Sequence, residues 1–523
     1  MIRMDGSLLN RRFFGRTLAV LLFVTLSVAG MIFALYLFYV ANSPYMYLLA
    51  ASFTILSLIA GFFNIYASIW YFRSFFYDKY LEKINAGLPK ITAFPRVAVA
   101  IPVYNEDPGM VEKNLKELLK LNYPKGKINF YLADDSTDKK IVAELAKISR
   151  KLGVEYIHRE NRQGFKAGAL NNMLKYSKEE FLAVFDADEY LIDKNFLLDL
   201  LPYIADKKVS YVQTEKKYMK HSFFSDSVDI FDAFFYKFIQ PARALNNTAV
   251  FAGSCGLIRR SALDNIGGFP EYVIEDTFFS FESDMHDYKS MYVPKIYALG
   301  RPIKTFTELV KQQWRYNYGD TQFISYFFKR NKESPSGKRK SILAYVDYIT
   351  HGFGLNYLSA VLIMFTIASI GVVFVALPFA HISVNNFLSG SQLPVYLEIL
   401  GFFAFTLSLL TPVLLTKIYF KSFSKGFMVF LLNYALAFVR TKAAIATVMN
   451  MNPGIHWNRS KLQSGKSDAI FSISNTKTEI AFASIMFGLS AFALSVANLA
   501  GGIWLLWYGI LYSLATIFLY KYG

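Results

Sequence analysis

The sequence of 523 residues holds a single cysteine, Cys255, which excludes an intramolecular disulfide and a cysteine-rich zinc site. That usage fits a domain facing a reducing cytosol, where the lone thiol reads as buried and inert. No internal repeat and no extended low-complexity tract is present. Lysine and arginine are absent from six long stretches, 17–41, 46–72, 356–380, 396–416, 479–499 and 502–520. Each is about long enough to cross a bilayer as a tilted helix. The first follows Arg3, Arg11, Arg12 and Arg16 in the manner of a signal peptide. Its run is too long and shows no small-residue cleavage pattern, so it reads as a retained anchor.

What the chain has in quantity is apolar and aromatic surface. At 54% hydrophobic and 17% aromatic, with mean hydropathy above zero, it is too apolar and too long for one soluble domain. A multipass membrane protein carrying a water-soluble domain is expected. The six stretches pair into three hairpins. Basic residues at Arg3 to Arg16, Arg73 to Lys90, Lys417 to Lys425 and Lys521 all fall on one side, expected to be cytosolic, together with both termini and the soluble domain. A seventh apolar stretch, 427–439, lies between Lys421 and Lys425 on one flank and Arg440 and Lys442 on the other. Crossing there violates the positive-inside rule, so an interfacial or re-entrant segment over 427–450 is expected. The net charge of +17 suits nucleic acid, anionic headgroups or phosphorylated substrates, and its distribution favours lipid and phosphate. A basic loop at 329–340 reads as facing lipid headgroups.

The expected division is an N-terminal hairpin and linker (1–90), a soluble domain (91–310), an interfacial helix with the basic loop (311–345) and a C-terminal membrane region (346–523). Strands and helices alternate in the soluble part. Strands are expected at 97–102, 128–133, 154–158 and 181–185, and helices at 110–121, 138–152 and 164–175. This order predicts an α/β fold with a mainly parallel sheet, whose ligands bind at the strands' C-terminal ends. Asp134 and Asp186 each end an apolar strand, so two distant acidic motifs are expected at one crevice.

Asp186-Ala187-Asp188 puts two carboxylates where side-chain alternation ends, so both can approach one cation. Mg²⁺ and Mn²⁺ take such oxygen ligands and share them with substrate phosphates; an ordinary acidic turn has the same look. Asp134-Asp135-Ser136-Thr137-Asp138 can accept hydrogen bonds from a base or ribose, or can supply a helix cap through Ser136 or Thr137. Lys166, in a Gly-bearing turn running into a helix, can contact phosphate or sugar, or be a solvated lysine. Glu275-Asp276 can supply a general base for a hydroxyl, or simply complement a helix dipole. Gln312-Gln313-Trp314-Arg315-Tyr316 lies on an aromatic-rich helix expected at 308–328, which reads as interfacial. Arg315 matches diphosphate oxygens, and Trp314 and Tyr316 offer faces for sugar rings.

In this order the motifs resemble the membrane-integrated family 2 glycosyltransferases, the cellulose, hyaluronan, chitin and mannan synthases. The match covers roughly 96–330. Its pieces are Pro102 to Glu106, Asp134 to Asp138, Gly164 to Leu170, Asp186 to Asp188, Ser254 to Leu263 with Gly267-Gly268-Phe269, Glu275-Asp276, and the stretch from Gln312. The resemblance implies a GT-A fold and inverting transfer from a nucleotide-diphosphate sugar to a polysaccharide or lipid acceptor, with membrane lipids as surroundings and no nucleic acid. It implies that Asp135 contacts the uracil or ribose of a UDP-sugar, with Tyr104, Glu106, Asp134, Lys166, Asp186, Gln312 and Arg315 also in the donor site. Asp186 and Asp188 then bind Mg²⁺ or Mn²⁺ with the diphosphate, and Asp276 is the base. Gly253, Ser254, Cys255, Glu275, Trp314 and Tyr316 fall on the acceptor side. His456 to Lys461 falls where such enzymes place a gating segment. The family's last motif ends in Trp where this chain has Tyr316, and a threonine precedes the Glu-Asp pair where this chain has Ile274.

Three activities are compatible with the pattern. A processive synthase would extend a polysaccharide and pass it through its own helices. A non-processive enzyme would place one sugar on a lipid. A transporter would only bind nucleotide sugar, and the near absence of ionisable residues from the apolar stretches argues against it.

Overall fold

The structure is a computed structural model that describes residues 44–332, 411–450, 466–496 and 499–522, with isolated positions in 17–39 and 347–373. The expected spans 17–41, 356–380 and 396–416 fall wholly or largely outside the described residues, as do the basic loop beyond Lys332 and the segment His456 to Lys461.

Residues 97–293 are built on a seven-stranded sheet. Its strands are β1 (Val97–Val103), β2 (Ile128–Asp134), β3 (Glu155–His158), β4 (Phe181–Val184), β6 (Val209–Thr214), β8 (Gly256–Arg259) and β9 (Lys289–Val293), in the order β3-β2-β1-β4-β8-β6-β9. All pairings are parallel except those of β8, which runs antiparallel to β4 and β6. The mainly parallel sheet expected from the sequence is therefore present. A small second sheet joins β5 (Tyr190–Leu191), β10 (Ala298–Gly300) and β7 (Lys217–Tyr218).

Alternation within β1 explains how the layers form. Val97, Val99, Ile101 and Val103 enter one core with Val111 and Leu115, whereas Ala98 and Ala100 enter the opposite core with Ala167, Leu170 and Met173. Successive side chains of a strand point to opposite faces, and the small alanines let the helix of residues 165–174 sit close to the sheet. A sheet covered on both faces needs such uninterrupted apolar strands.

The helices that position the site are α1 (Pro44–Ser74), α2 (Pro108–Leu118), α3 (Lys139–Leu152), α4 (Phe165–Leu174), α5 (Phe223–Phe234), α6 (Glu275–Met285) and α7 (Phe306–Lys332). Asp138, not Ser136 or Thr137, caps α3, since its carboxylate accepts the Lys140 N–H at 3.0 Å. Ser136 and Thr137 are used otherwise: the Ser136 hydroxyl accepts the Asn105 N–H at 2.8 Å, and the Thr137 hydroxyl accepts from the Asn105 side-chain amide at 3.0 Å.

Beyond the soluble part lie α8 (Thr411–Phe420), α9 (Phe423–Ala435), α10 (Ala437–Val448), α11 (Lys466–Ser495) and α12 (Leu499–Tyr522). Among the described residues, two helical stretches are long and apolar enough to cross a membrane, Lys477–Ser495 and Gly501–Tyr522. The bent pair α9–α10, turned by 41°, meets the same test only as a unit. Helix α1 covers the expected segment 46–72. α7 packs along α10, and there the fully buried Arg440 donates to Gln313 at 3.0 Å and to Asn433 at 3.2 Å.

On its other side α7 meets the segment before α6. A Cβ on Gly319 would lie 2.7 Å from both γ-carbons of Ile274. A mid-helix glycine costs roughly 1 kcal/mol against alanine, and here it admits Ile274 directly beside Glu275. Gly319→Ala is therefore expected to destabilise the protein by about 1–3 kcal/mol through overpacking, despite its better helix propensity. Adding Ile274→Ala should restore much of the loss in thermal unfolding, and purely additive effects would contradict the contact.

Candidate active site

The acidic turn after β2 is held from within the protein. Asp134 is almost wholly buried; its carboxylate accepts the Ser136 N–H at 2.8 Å and the Tyr156 hydroxyl at 2.6 Å. His158 Nδ1 lies 3.3 Å away. Both oxygens of Asp134 thus fix the turn, and its expected place in the donor site becomes indirect. Asp135 is gripped by Arg159, which donates through Nε and, at 2.7 Å, through Nη2. Burial pushes the Asp135 carboxyl above its ordinary range and Arg159 opposes the shift. Arg159 also donates to the carbonyls of Gln163 and Phe165 at 2.8 Å each, so one guanidinium ties this turn to the start of α4. Tyr104 follows β1 by one residue, and the Arg162 guanidinium lies 3.3 Å from its ring centroid. Glu106 is half-buried in the same loop, next to Asn105, whose φ is 49°.

At the end of β4 the Asp186 carboxylate sits between two ammonium groups. Lys166 donates to one oxygen at 2.5 Å and Lys216 to the other at 3.4 Å. Burial opposes the charge on each lysine. Their carboxylate partners outweigh it, Asp186 with Glu275 for Lys166 and Glu189 with Asp186 for Lys216, so both are held above the ordinary lysine value. Lys166 also donates to the Gly253 carbonyl at 2.9 Å, and Lys216 to the Ser254 hydroxyl at 2.6 Å. Glu189 closes the ring: it accepts the Ser254 hydroxyl at 2.6 Å and the Asp186 N–H at 2.9 Å. Sequence reasoning missed Lys216, Glu189 and Arg159. Glu189 directly extends the Asp-Ala-Asp motif, but nothing local marks a lysine between two short strands.

Asp276 stands in the first turn of α6, where its carboxylate accepts the Thr277 N–H at 2.8 Å. A Cβ on Gly253 would lie 3.1 Å from Asp276 Oδ2 and 3.4 Å from Lys166 Nζ, and Gly253 has φ +80°. Glycine is needed there twice, for the left-handed backbone and for the close approach. Glu275 lies 3.8 Å from Lys166. Burial raises Glu275 to about 7, Lys166 and Arg315 oppose this, and Asp276 adds to it. Burial likewise raises Asp276.

The other expected residues divide. Arg315 lies within electrostatic reach of Glu275 and Asp276, with its guanidinium 5.1 Å from the Tyr316 ring centroid. Gln312 is buried on the same helix and donates to the Tyr316 hydroxyl at 3.3 Å. Trp314 faces elsewhere, packing toward Ala443 and Ala446 of α10, so the structure does not offer it to an acceptor at this site. The Cys255 side chain is buried in the sheet core, as the lone thiol was expected to be, and burial pushes it well above its ordinary value. Asp320, on α7, was not foreseen; burial and the neighbouring Asp276 hold it well above the ordinary carboxylate range.

Among the described residues no three His, Cys, Asp or Glu side chains converge to hold a metal. Asp186 and Asp188 alone still suit Mg²⁺ or Mn²⁺, which are usually held by one or two carboxylates plus substrate phosphates.

Residues 98–267 match the sequence profile of Glycosyl transferase family 2. The chain is similar to a cellulose synthase catalytic subunit [UDP-forming] of Pseudomonas fluorescens, 31% identical over 44% of this chain and 32% of that one. It is also similar to a beta-monoglucosyldiacylglycerol synthase of a Nostoc species, 31% identical over 48% of this chain and 54% of that one. The matches thus span about a third to a half of these relatives' own length. A solved mannosyltransferase from Pyrobaculum calidifontis, in complex with GDP-Man and Mn²⁺, aligns over 76% of this chain and all of its own, at 18% identity and a TM-score of 0.48. The mixed α/β sheet with its reversed β8 and the profile match over 98–267 agree: this chain carries a glycosyl transferase family 2 domain.

Proposed function

We propose that the protein is an inverting, metal-dependent glycosyltransferase that moves a hexose from a nucleoside-diphosphate sugar, a UDP-sugar, to a growing polysaccharide at a membrane. The soluble domain of about residues 91–310 faces the cytosol, and the product passes processively through the helical region. One observation carries the reading: the half-buried Asp276 carboxylate lies against Gly253, beside the Lys166–Asp186 pair and within electrostatic reach of Arg315.

In this reading the acceptor hydroxyl lies between Asp276 and the anomeric carbon of the donor. Asp276 takes its proton as the oxygen attacks, and the bond from that carbon to the diphosphate breaks in the same displacement. Lys166, Lys216 and Arg315 meet the charge on the departing diphosphate. A Mg²⁺ or Mn²⁺ held by Asp186 and Asp188 would add Lewis-acid neutralisation of that charge. Asp135, Tyr104 and Glu106 line the nucleoside side, with Asp134 bracing the turn. Gly253, Ser254, Glu275 and Tyr316 line the acceptor side. The cellulose synthase relatives support a polysaccharide acceptor. The Nostoc relative, matched over a larger share of its length, supports a second reading in which one sugar goes to a lipid.

Asp276→Asn is expected to lower nucleotide release from the active UDP-sugar by about 10²–10⁴-fold, with donor binding kept. Full transfer with donor still bound would contradict Asp276 as base.

The base must be unprotonated, and burial raises both carboxyls of the pair, so activity is lost as pH falls through a raised pKa. The acid limb of kcat/KM is expected above the usual aspartate value of about 4, toward the Glu275 value of about 7. Glu275→Gln removes a like charge and should move the limb to lower pH; a move upward would contradict the pairing.

A further inference from the structure

On α7 the residues Gln312, Tyr316 and Asp320 follow one another at intervals of four, which stacks them on one face. The hydrogen bond from Gln312 to the Tyr316 hydroxyl bears out that alignment. The adjoining face, Gln313 and Trp314, is taken up by Arg440 and by Ala443 and Ala446. Gly319 seats the helix on Ile274, and this contact brings the next residue, Asp320, to the segment that bears Glu275 and Asp276. Asp320 is half-buried, and among the described residues no donor reaches its carboxyl. On the same face the buried Gln312 amide oxygen also lacks a partner among the described residues. Two acceptor groups without donors among the described residues, the Gln312 amide oxygen and the Asp320 carboxyl, thus lie on this face of α7.

We propose that Asp320 is an acceptor-binding residue whose carboxyl holds the hydroxyl next to the one that attacks. The acceptor it fits carries vicinal hydroxyls, as the ring of a sugar does and diacylglycerol, with its single free hydroxyl, does not. This inference rests on the glycosyl-transfer reading and assigns its acceptor class. Asp276 takes the proton from the attacking hydroxyl, while Asp320 fixes the ring through the neighbouring oxygen. Asp276, in the first turn of α6, is the charged group that acts on Asp320. A carboxyl group and an amide can each bond a hydroxyl, whereas a methyl group cannot.

The test uses the full-length protein in lipid nanodiscs, with UDP-glucose and Mn²⁺ as donor mixture. Methyl β-cellobioside and 1,2-dioleoylglycerol are the two acceptors. Asp320→Ala is expected to raise KM for methyl β-cellobioside about tenfold, Asp320→Asn less, with KM for UDP-glucose kept within about twofold, in line with loss of one hydrogen bond. An unchanged acceptor KM would overturn the inference, as would equal losses with both acceptors or a matching rise in the donor KM. Wild-type transfer to dioleoylglycerol alone would also overturn it, and Asp276→Asn run alongside reports separately on the base. Absence of transfer to either acceptor from UDP-glucose, and from each other UDP-hexose in its place, would contradict the glycosyl-transfer reading on which the inference stands.

Discussion

The carboxylate of Asp186, held between the ammonium groups of Lys166 and Lys216, is the interaction around which the sheet domain is arranged. Each partner comes from a different part of the chain: Asp186 from the end of β4, Lys166 from the first turn of α4, and Lys216 from the segment between β6 and β7. Buried charges persist only when paired and hydrogen-bonded. The ring through Ser254, Glu189 and the Gly253 carbonyl satisfies that demand and draws the β8 strand toward β4. Removing one member would leave its partners charged and unpaired in a low-dielectric site.

The same constraint shapes the carboxyl pair. Glu275 and Asp276 come close to the cationic ring only because Gly253 has no side chain and α7 lies tight against Ile274. Burial pushes both carboxyls toward their protonated forms while Lys166 and Arg315 pull the other way. A base for a sugar hydroxyl benefits from a raised pKa, because a proton acceptor works best when its pKa lies near the working pH. In the proposed reading the chain thus places its cations where they would hold a diphosphate and also restrain the base.

Much of this was legible in the sequence, and the reasons are local. Val97 to Val103, Phe130 to Ala133 and Phe181 to Val184 are uninterrupted apolar runs ended by acids or turns, which marks strands of a covered sheet and their ends. The bonds that decide what each acid does are long-range. Tyr156 engages one oxygen of Asp134, and Arg159 claims both of Asp135, which no spacing rule announces. Trp314 and Tyr316 are two residues apart on a helix, so they face different sides; periodicity alone could not say which side the site lies on. Asp320 escaped notice because it stands one turn past the motif that drew attention. The topology of the region beyond residue 332 rests on charge and hydropathy, with Lys477–Ser495 and Gly501–Tyr522 as its two long apolar helices.

A direct displacement driven by one base leaves a stereochemical mark. The most direct measurement is the anomeric configuration of the bond formed by the purified protein from a UDP-sugar of known α-configuration, read from proton NMR coupling constants of the isolated product. A β-linked product is expected, because the acceptor oxygen enters opposite the departing diphosphate. An α-linked product would contradict single displacement by a hydroxyl that Asp276 activates.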